Sequence, residues 1–215
     1  MNYSAIKDND IADGLGVRVS LFVSGCNLRC KGCHNKTAWD FDSGKLYTDE
    51  VQNHILDLLD RDYIDGLSIL GGEPLAEQNY KTVEQLIYAV RKRFGNSKTI
   101  WLYTGYDVPT LLMYDSFNRF LFSEVNVIID GPFIKDKHSV TLNYRGSSNQ
   151  MIRLIDKEDG SLNVYTIYSD DTIDQIKDSR LLVNILEKEC VYKLVNEADI
   201  PDTIETFISK TTKGN

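Results

Sequence analysis

Hydrophobic and polar positions along the first two thirds of the chain follow a pattern that predicts strands and helices in turn. Short apolar runs bounded by glycine, asparagine or charged residues are typical of buried strands. Apolar residues three and four positions apart, behind a capping residue, are typical of amphipathic helices. The predicted strands cover residues 17–23, 67–70, 99–103 and 125–129, and the predicted helices follow Thr48, precede Gly95 and cover 111–121.

This alternation predicts an α/β fold. Strand–helix–strand units place successive strands parallel to one another, joined by right-handed crossovers, in an open sheet or in part of a barrel. Beyond residue 155 the pattern weakens: a strand is predicted at 164–168, and helices are predicted after Ser179 and after Pro201. We therefore expect an α/β core followed by a C-terminal α+β extension.

Composition and charge narrow the function classes. The chain has 215 residues, is 42% hydrophobic and contains only four prolines, which favours a folded chain with its own core. No run approaches the roughly 18 apolar residues of a membrane span, and the first residues lack the apolar core of a signal peptide. A net charge of −8 argues against a nucleic-acid-binding face. We expect a cytoplasmic protein that binds neither membrane nor nucleic acid.

The negative charge is concentrated at the C-terminal end. Residues 1–155 contain 19 acidic and 17 basic side chains, whereas residues 156–215 contain 13 and 7. This difference predicts two parts, a core over 1–155 and an acidic extension over 156–215.

Three of the four cysteines lie close together, as Cys26, Cys30 and Cys33, with Gly25 before them and Gly32 between them. Without an export signal, such a group indicates metal-binding or redox chemistry rather than a disulfide framework. Three thiolates in one glycine-containing loop can hold an iron–sulfur cluster. A four-iron cluster then keeps one iron without a protein ligand, and an open position is what a catalytic metal site needs.

Other interpretations of the same residues stay open at this point. Cys30 to His34 also fits the C-x-x-C-H pattern of haem attachment, which is usual in exported proteins. A structural zinc site with three cysteines and a histidine would require the neighbouring Cys33 and His34 to bind one tetrahedral ion. A thioredoxin-like C-x-x-C motif leaves Cys26 without a role.

The loop and the segments after it carry a family resemblance. The C-x3-C-x2-C spacing behind a first strand resembles the radical S-adenosylmethionine enzymes. The longer string Gly25–Asn35, with Trp39-Asp40-Phe41, is similar to the activating proteins of anaerobic ribonucleoside-triphosphate reductase. Further matching segments follow in the family's order, namely Leu70–Leu75, Tyr103–Tyr106, Asp130–Phe133 and Arg145–Gln150.

The resemblance implies a fold, cofactors and site residues. It implies an incomplete TIM-like barrel of the radical S-adenosylmethionine type over residues 1–155. It implies Cys26, Cys30 and Cys33 as ligands of a 4Fe-4S cluster, with no catalytic side chain beyond the cluster-bound cofactor. Gly32, Cys33 and His34 would face the adenine side of S-adenosylmethionine, and Gly72 its amino group. Asp130 and Lys135 are further candidates for orienting this cofactor.

The resemblance also implies an activity and partners. The chain would be an activase that generates a 5'-deoxyadenosyl radical and installs a glycyl radical on anaerobic ribonucleoside-triphosphate reductase. Reduced flavodoxin or a similar carrier would supply the electron. Two alternatives remain: an activase of a formate-lyase-type glycyl radical enzyme, and a non-catalytic zinc-binding adaptor that uses the same cysteines.

Overall fold

The computed structural model describes residues 1–111, 124–158, 161–167 and 190–194. The helices in these residues are α1 (Asp49–Leu59), α2 (Glu77–Phe94) and α3 (Val108–Leu111), and Lys36–Trp39 and Lys135–Lys137 form short 3-10 turns. The strands are β1 (Asn2–Asp10), β2 (Arg18–Val23), β3 (Lys45–Leu46), β4 (Gly66–Gly71), β5 (Thr99–Tyr103), β6 (Val127–Asp130), β7 (Met151–Glu158), β8 (Ser161–Ile167) and β9 (Cys190–Leu194).

All nine described strands belong to one sheet, in the order β3-β1-β2-β4-β5-β6-β7-β8-β9. The central strands β2, β4, β5 and β6 are parallel neighbours, and every other pairing is antiparallel. Helices α1 and α2 connect successive parallel strands, as strand–helix–strand units require. The predicted α/β class is thereby confirmed as a mixed sheet with a parallel centre.

The helix boundaries follow from capping residues that the sequence displays. Helix α1 begins after Thr48, whose side chain accepts a hydrogen bond from the Val51 N–H, and it carries two acids in its first turn. Helix α2 ends at Gly95, which has a φ of +55° and donates its N–H to the Arg91 carbonyl. Both predicted helix ends are confirmed.

The parallel strands are buried on both faces, as is usual for strands covered by crossover helices. One face packs against α1 and α2 through alternating residues such as Leu21, Ile69 and Leu102. The opposite face carries a second apolar cluster built around Trp101 and Ile129. This second face also carries polar residues that the sequence does not single out, and among them Arg18 is completely buried.

Arg18 ties together the amino-terminal ends of three parallel strands. Its guanidinium donates hydrogen bonds to the Leu67 carbonyl at 2.7 Å, the Thr99 carbonyl at 3.0 Å and the Ser68 hydroxyl at 2.7 Å. It also lies over the Trp101 ring, 5.3 Å from the centroid. Burial lowers the pKa of Arg18 to about 10, so the side chain keeps its charge at neutral pH.

Several strands lie outside the predicted pattern. Strand β1 is an exposed, largely polar strand without apolar alternation, so its sequence carries no strand signal. Strands β3, β7 and β9 were likewise not predicted, whereas β8 confirms most of the strand expected at 164–168. The helices predicted after Ser179 and Pro201, and residues 112–121 of the third helix, lie outside the described residues.

The described helices can be compared with the prediction that the chain has no membrane span. Not one helix in the described part of the chain has the length and apolar character that crossing a membrane requires.

Replacement of Arg18 tests its structural role. In Arg18→Ala the strand carbonyls lose their donor and a cavity forms, so we expect the free energy of unfolding to fall by about 3 kcal/mol or more. Urea unfolding of the two proteins measures this difference. The control Lys92→Ala removes the same charge from an exposed position of α2 and should change stability by no more than about 0.5 kcal/mol. Equal effects of both substitutions would contradict the role given to Arg18.

Candidate active site

A cavity of about 400 Å³ opens at the carboxyl ends of the parallel strands, on the face away from α1 and α2. Ligands of α/β proteins usually bind at this edge of the sheet. The lining comes from the segment after β1, the end of β2 and the loop that follows it, the end of β4 and its turn, the end of β5 and the segments after β6. The residues that carry its chemistry are Cys26, Cys30, Cys33, His34, Gly72, Glu73, Tyr103, Thr104, Gly105 and Arg145.

All three cysteines of the predicted group line this cavity. Each is partly buried, and none forms a disulfide. Burial raises the pKa of the Cys26 thiol. Three thiols from one short loop that face one cavity provide the donor set of an iron–sulfur cluster.

A site for a single metal ion requires its ligands to converge on one point, unlike a site for a cluster. Within the described ranges no three His, Cys, Asp or Glu side chains come together around one point as a mononuclear site requires. The cysteines of an iron–sulfur cluster each bind a different iron, so they do not have to converge in this way.

The cysteine loop (residues 25–35) is held at its first residues. Gly25 donates its N–H to the Ala38 carbonyl at 2.9 Å, and Cys26 donates to the Trp39 carbonyl at 3.2 Å. Gly25 has a φ of +89°, and a Cβ at this position would lie 1.9 Å from the Phe41 ring. Only glycine satisfies both conditions, which explains why this residue precedes the first cysteine.

The turn after β4 packs directly against this loop. Gly72 donates its N–H to the Val23 carbonyl, and Glu73 donates its N–H to the Gly25 carbonyl, both at 2.8 Å. A Cβ at Gly72 would lie 2.3 Å from the Gly25 carbonyl oxygen. The backbone of the turn therefore reaches the cavity because no side chain separates it from the loop.

Glu73 is buried at the base of this turn and connects it to the end of β5. Its carboxylate accepts hydrogen bonds from the Gly105 N–H and the Thr104 hydroxyl, each at 2.8 Å, and from the Leu75 N–H at 3.0 Å. Burial raises the pKa of Glu73 to about 7, and these three donors limit the rise because they favour the ionised form. The side chain acts as a polar connection between neighbouring strand ends.

Asn79 holds the same region from the first turns of α2. Its buried amide donates to the Ser24 carbonyl at 2.9 Å and to the Glu73 carbonyl at 3.0 Å. Sequence reasoning missed this residue, because an asparagine near a helix start is usually assigned to local capping. The available signal was its spacing, because Asn79 stands four residues before Val83 and therefore on the apolar face of the predicted helix.

The other predicted residues divide into two groups. His34 and Arg145 line the cavity together with Tyr103, whose hydroxyl is buried. Gly32 and Lys135 do not line it; the Lys135 side chain lies against Gly32, and both residues are exposed. Asp130 is also absent from the lining.

Asp130 is a buried structural residue. Its carboxylate accepts from Arg153 Nε at 2.9 Å and from the Val108 N–H at 2.9 Å. These contacts connect β6 to β7 and to the first residue of α3. The structure therefore gives Asp130 a role in joining elements rather than a contact with the cavity.

Comparison with known proteins extends these observations. A family model described as a 4Fe-4S single cluster domain matches residues 12–153. This range contains the cysteine loop and the whole cavity lining, which runs from Ala12 to Gln150. The chain is 41% identical over 154 residues to the anaerobic ribonucleoside-triphosphate reductase-activating protein of Vibrio cholerae, which covers 71% of this chain and 97% of that relative.

The chain belongs to the family of anaerobic ribonucleoside-triphosphate reductase-activating proteins. The proteins of the same name from bacteriophage T4 and Escherichia coli are 38% and 36% identical to it, over 160 and 154 residues. The matches cover 74% and 71% of this chain and 97% of each relative. Membership of the activating-protein family confirms the resemblance that the motifs indicate, and the family model confirms a 4Fe-4S cluster domain.

Glu73→Gln tests the connection that Glu73 makes between the turn after β4 and the end of β5 in this activating protein. The amide places an N–H against a backbone or hydroxyl donor, so we expect a loss of about 1–3 kcal/mol in the free energy of unfolding at pH 8. The raised pKa means that folded wild-type protein binds more protons than the unfolded chain between pH 4.5 and about 7. The free energy of unfolding of the wild type therefore falls as pH rises through this window. The difference in stability between the wild type and the variant narrows accordingly.

Urea unfolding of the metal-free chains between pH 5 and pH 8 measures both effects. Glu77→Gln, at an exposed position four residues along, is the matched control. An advantage of the wild type that widens with rising pH would contradict the raised pKa of Glu73.

Proposed function

We propose that this chain is an activase that installs a glycyl radical on anaerobic ribonucleoside-triphosphate reductase, using a 4Fe-4S cluster and S-adenosylmethionine. The observation that carries the proposal is the position of three thiols of one loop, in one cavity at the carboxyl edge of a parallel sheet. The family to which the chain belongs supports the choice of target. We further propose that the protein acts in the cytoplasm.

Different residues of the chain would bind the cluster and S-adenosylmethionine. Cys26, Cys30 and Cys33 would each hold one iron and leave one iron free for S-adenosylmethionine. The backbone of Gly72 would bind the amino group of that cofactor, and the segment from Gly32 to His34 would lie on its adenine side. When bound, the reduced cluster and S-adenosylmethionine would supply the 5'-deoxyadenosyl radical chemistry that removes a hydrogen atom from a glycine Cα.

Other residues in and around the cavity would position these groups and keep water away. Glu73 and Asn79 hold the turn that contains Gly72 against the cysteine loop. Apolar side chains supply the dry part of the lining, among them Phe22, Leu70 and Phe133. A site that excludes water protects a reactive radical from side reactions.

We propose that the sheet curves as an incomplete barrel around this cavity. Two features support the proposal: the face away from the helices is buried, and the cavity lies on that face. An open side of such a barrel suits a protein substrate, whose glycine must reach the cavity.

We also propose that residues 1–155 form the catalytic core and that residues 156–215 extend it. The matched stretch of 154 residues accounts for nearly all of the Vibrio cholerae relative and supports a core of this length. Strand β7 runs across the boundary, and β8 and β9 continue the same sheet. The extension thus shares the sheet with the core.

Metal analysis tests the cofactor assignment. Full-length chain purified without oxygen should contain about four irons and about four sulfides. Cys30→Ser should lower the iron content at least about tenfold, because one of three ligands is lost. Cys190→Ser, which changes a cysteine in β9 outside the loop, should leave the iron content unchanged. One zinc per chain without sulfide would instead support the non-catalytic adaptor.

Electron paramagnetic resonance tests the target. Chain reduced with dithionite and mixed with S-adenosylmethionine should produce a glycyl radical signal on anaerobic ribonucleoside-triphosphate reductase. A formate-lyase-type glycyl radical enzyme serves as the second substrate and should give no signal. A signal on the formate-lyase-type enzyme alone would show that the assigned target is wrong.

A further inference from the structure

Five exposed cations lie on the cysteine loop and on the two 3-10 turns next to it. Arg29, Lys31 and Lys36 belong to the loop and the 3-10 turn after it, and residues 26–37 contain no acid. Lys135 and Lys137 lie on the 3-10 turn after β6, where Asp136 is the acidic residue between them. These five residues are called the cationic patch below.

The two parts of the cationic patch touch one another. A Cβ at Gly32 would lie 2.8 Å from Cδ of Lys135, so the lysine side chain lies directly across this glycine. Gly32 is in the left-handed region with a φ of +84°, which a side chain would strain. The close approach joins segments about one hundred residues apart in sequence into one positively charged surface.

The cations of the patch have no carboxylate partners in the described part of the chain. Other cations do pair: Arg61, Arg91, Arg93 and Arg153 each lie within 3.6 Å of an acidic oxygen. Like charges gathered on one surface oppose folding through their mutual repulsion, which a partner of opposite charge relieves. In a chain of net charge −8, a concentration of cations that pair with no carboxylate of the described residues indicates a binding surface.

The cationic patch lies outside the cavity. Cys30 and Cys33 line the cavity, whereas none of the five patch residues does. Lys31, between the two cysteines, is exposed. A protein bound at the patch therefore approaches the cluster ligands from their outer side and leaves the cavity to the substrate.

We propose that the cationic patch is the docking surface for an acidic, one-electron carrier protein that reduces the cluster. The proposal rests on the proposed function, which requires one electron for each cleavage of S-adenosylmethionine. One electron leaves the reduced carrier, which is oxidised, and reduces the cluster by one unit of charge. No covalent bond forms or breaks in this step.

A compact acidic protein fits this surface better than a nucleic acid does. Nucleic acids are extended polyanions that are bound through basic stripes or grooves. Here the cations cover one loop and one turn, in a chain that is acidic as a whole. Charge complementarity of this local kind steers protein partners and accelerates their association.

Binding of flavodoxin, an acidic one-electron carrier, tests the proposal directly. The full-length, cluster-loaded chain is titrated with oxidised flavodoxin by calorimetry at several salt concentrations. Lys36→Gln/Lys135→Gln should weaken binding about tenfold and make its salt dependence shallower. Lys81→Gln/Lys92→Gln removes two exposed charges from α2 and should change the affinity by less than about twofold.

A kinetic measurement separates docking from chemistry. In stopped-flow experiments the patch variant should be reduced more slowly by reduced flavodoxin, while its reduction by dithionite and its iron content match the wild type. Equal effects of the patch and α2 variants, a salt-independent affinity, or binding of a single-stranded oligonucleotide in place of flavodoxin would overturn the proposal. Failure of the proposed function is distinct, because it abolishes the glycyl radical even with dithionite as reductant.

Discussion

Two peptide groups meet where β2 and β4 end side by side, and the geometry of the cavity depends on that contact. The Glu73 N–H donates to the Gly25 carbonyl at 2.8 Å, and the missing side chain at Gly72 allows the two backbones to approach. Parallel register between β2 and β4 brings these residues to the same edge of the sheet. The loop that contains the cysteines is thereby fixed at the residue before Cys26.

Buried polar groups keep this contact in place from both sides. The Glu73 carboxylate connects the turn to Thr104 and Gly105, and Asn79 connects it to the loop. The Glu73 carboxylate accepts from residues on both sides of the site, and the Asn79 amide N–H donates to carbonyls of the loop and of the turn, so loss of one partner leaves a buried polar group unpaired. Arg18 has the same function at the opposite ends of the strands.

The parallel arrangement also separates the surfaces that partners need. The three cysteines line the cavity, while Arg29 and Lys31 of the same loop are exposed to solvent. A short loop can present two chemistries in this way because successive side chains project in different directions from a tight, glycine-containing backbone. Substrate access and electron delivery then use different sides of one loop, which is the arrangement that we propose.

The central elements were predictable because their signals are local. The apolar runs of β2, β4 and β5, the Thr48 cap and the Gly95 stop are each visible within a few residues, and the structure has all of them. Strand β1 was not predictable, because an exposed polar strand has no apolar alternation and is stabilised by backbone pairing with β2. The spacing singled out the three cysteines that line the cavity, whereas Asn79 and the structural roles of Glu73 and Asp130 were not predicted.

The sequence by itself determined the α/β class, the cysteine loop and the family, since strand periodicity, helix caps and motif spacing are properties of neighbouring residues. The tertiary structure alone decided that Glu73 connects β4 to β5 and that Asp130 pairs with Arg153 instead of lining the cavity. It also decided that Lys135 lies on Gly32 and completes the cationic patch. These contacts join residues far apart in the chain, and only the packing of the sheet brings them within hydrogen-bonding or van der Waals distance.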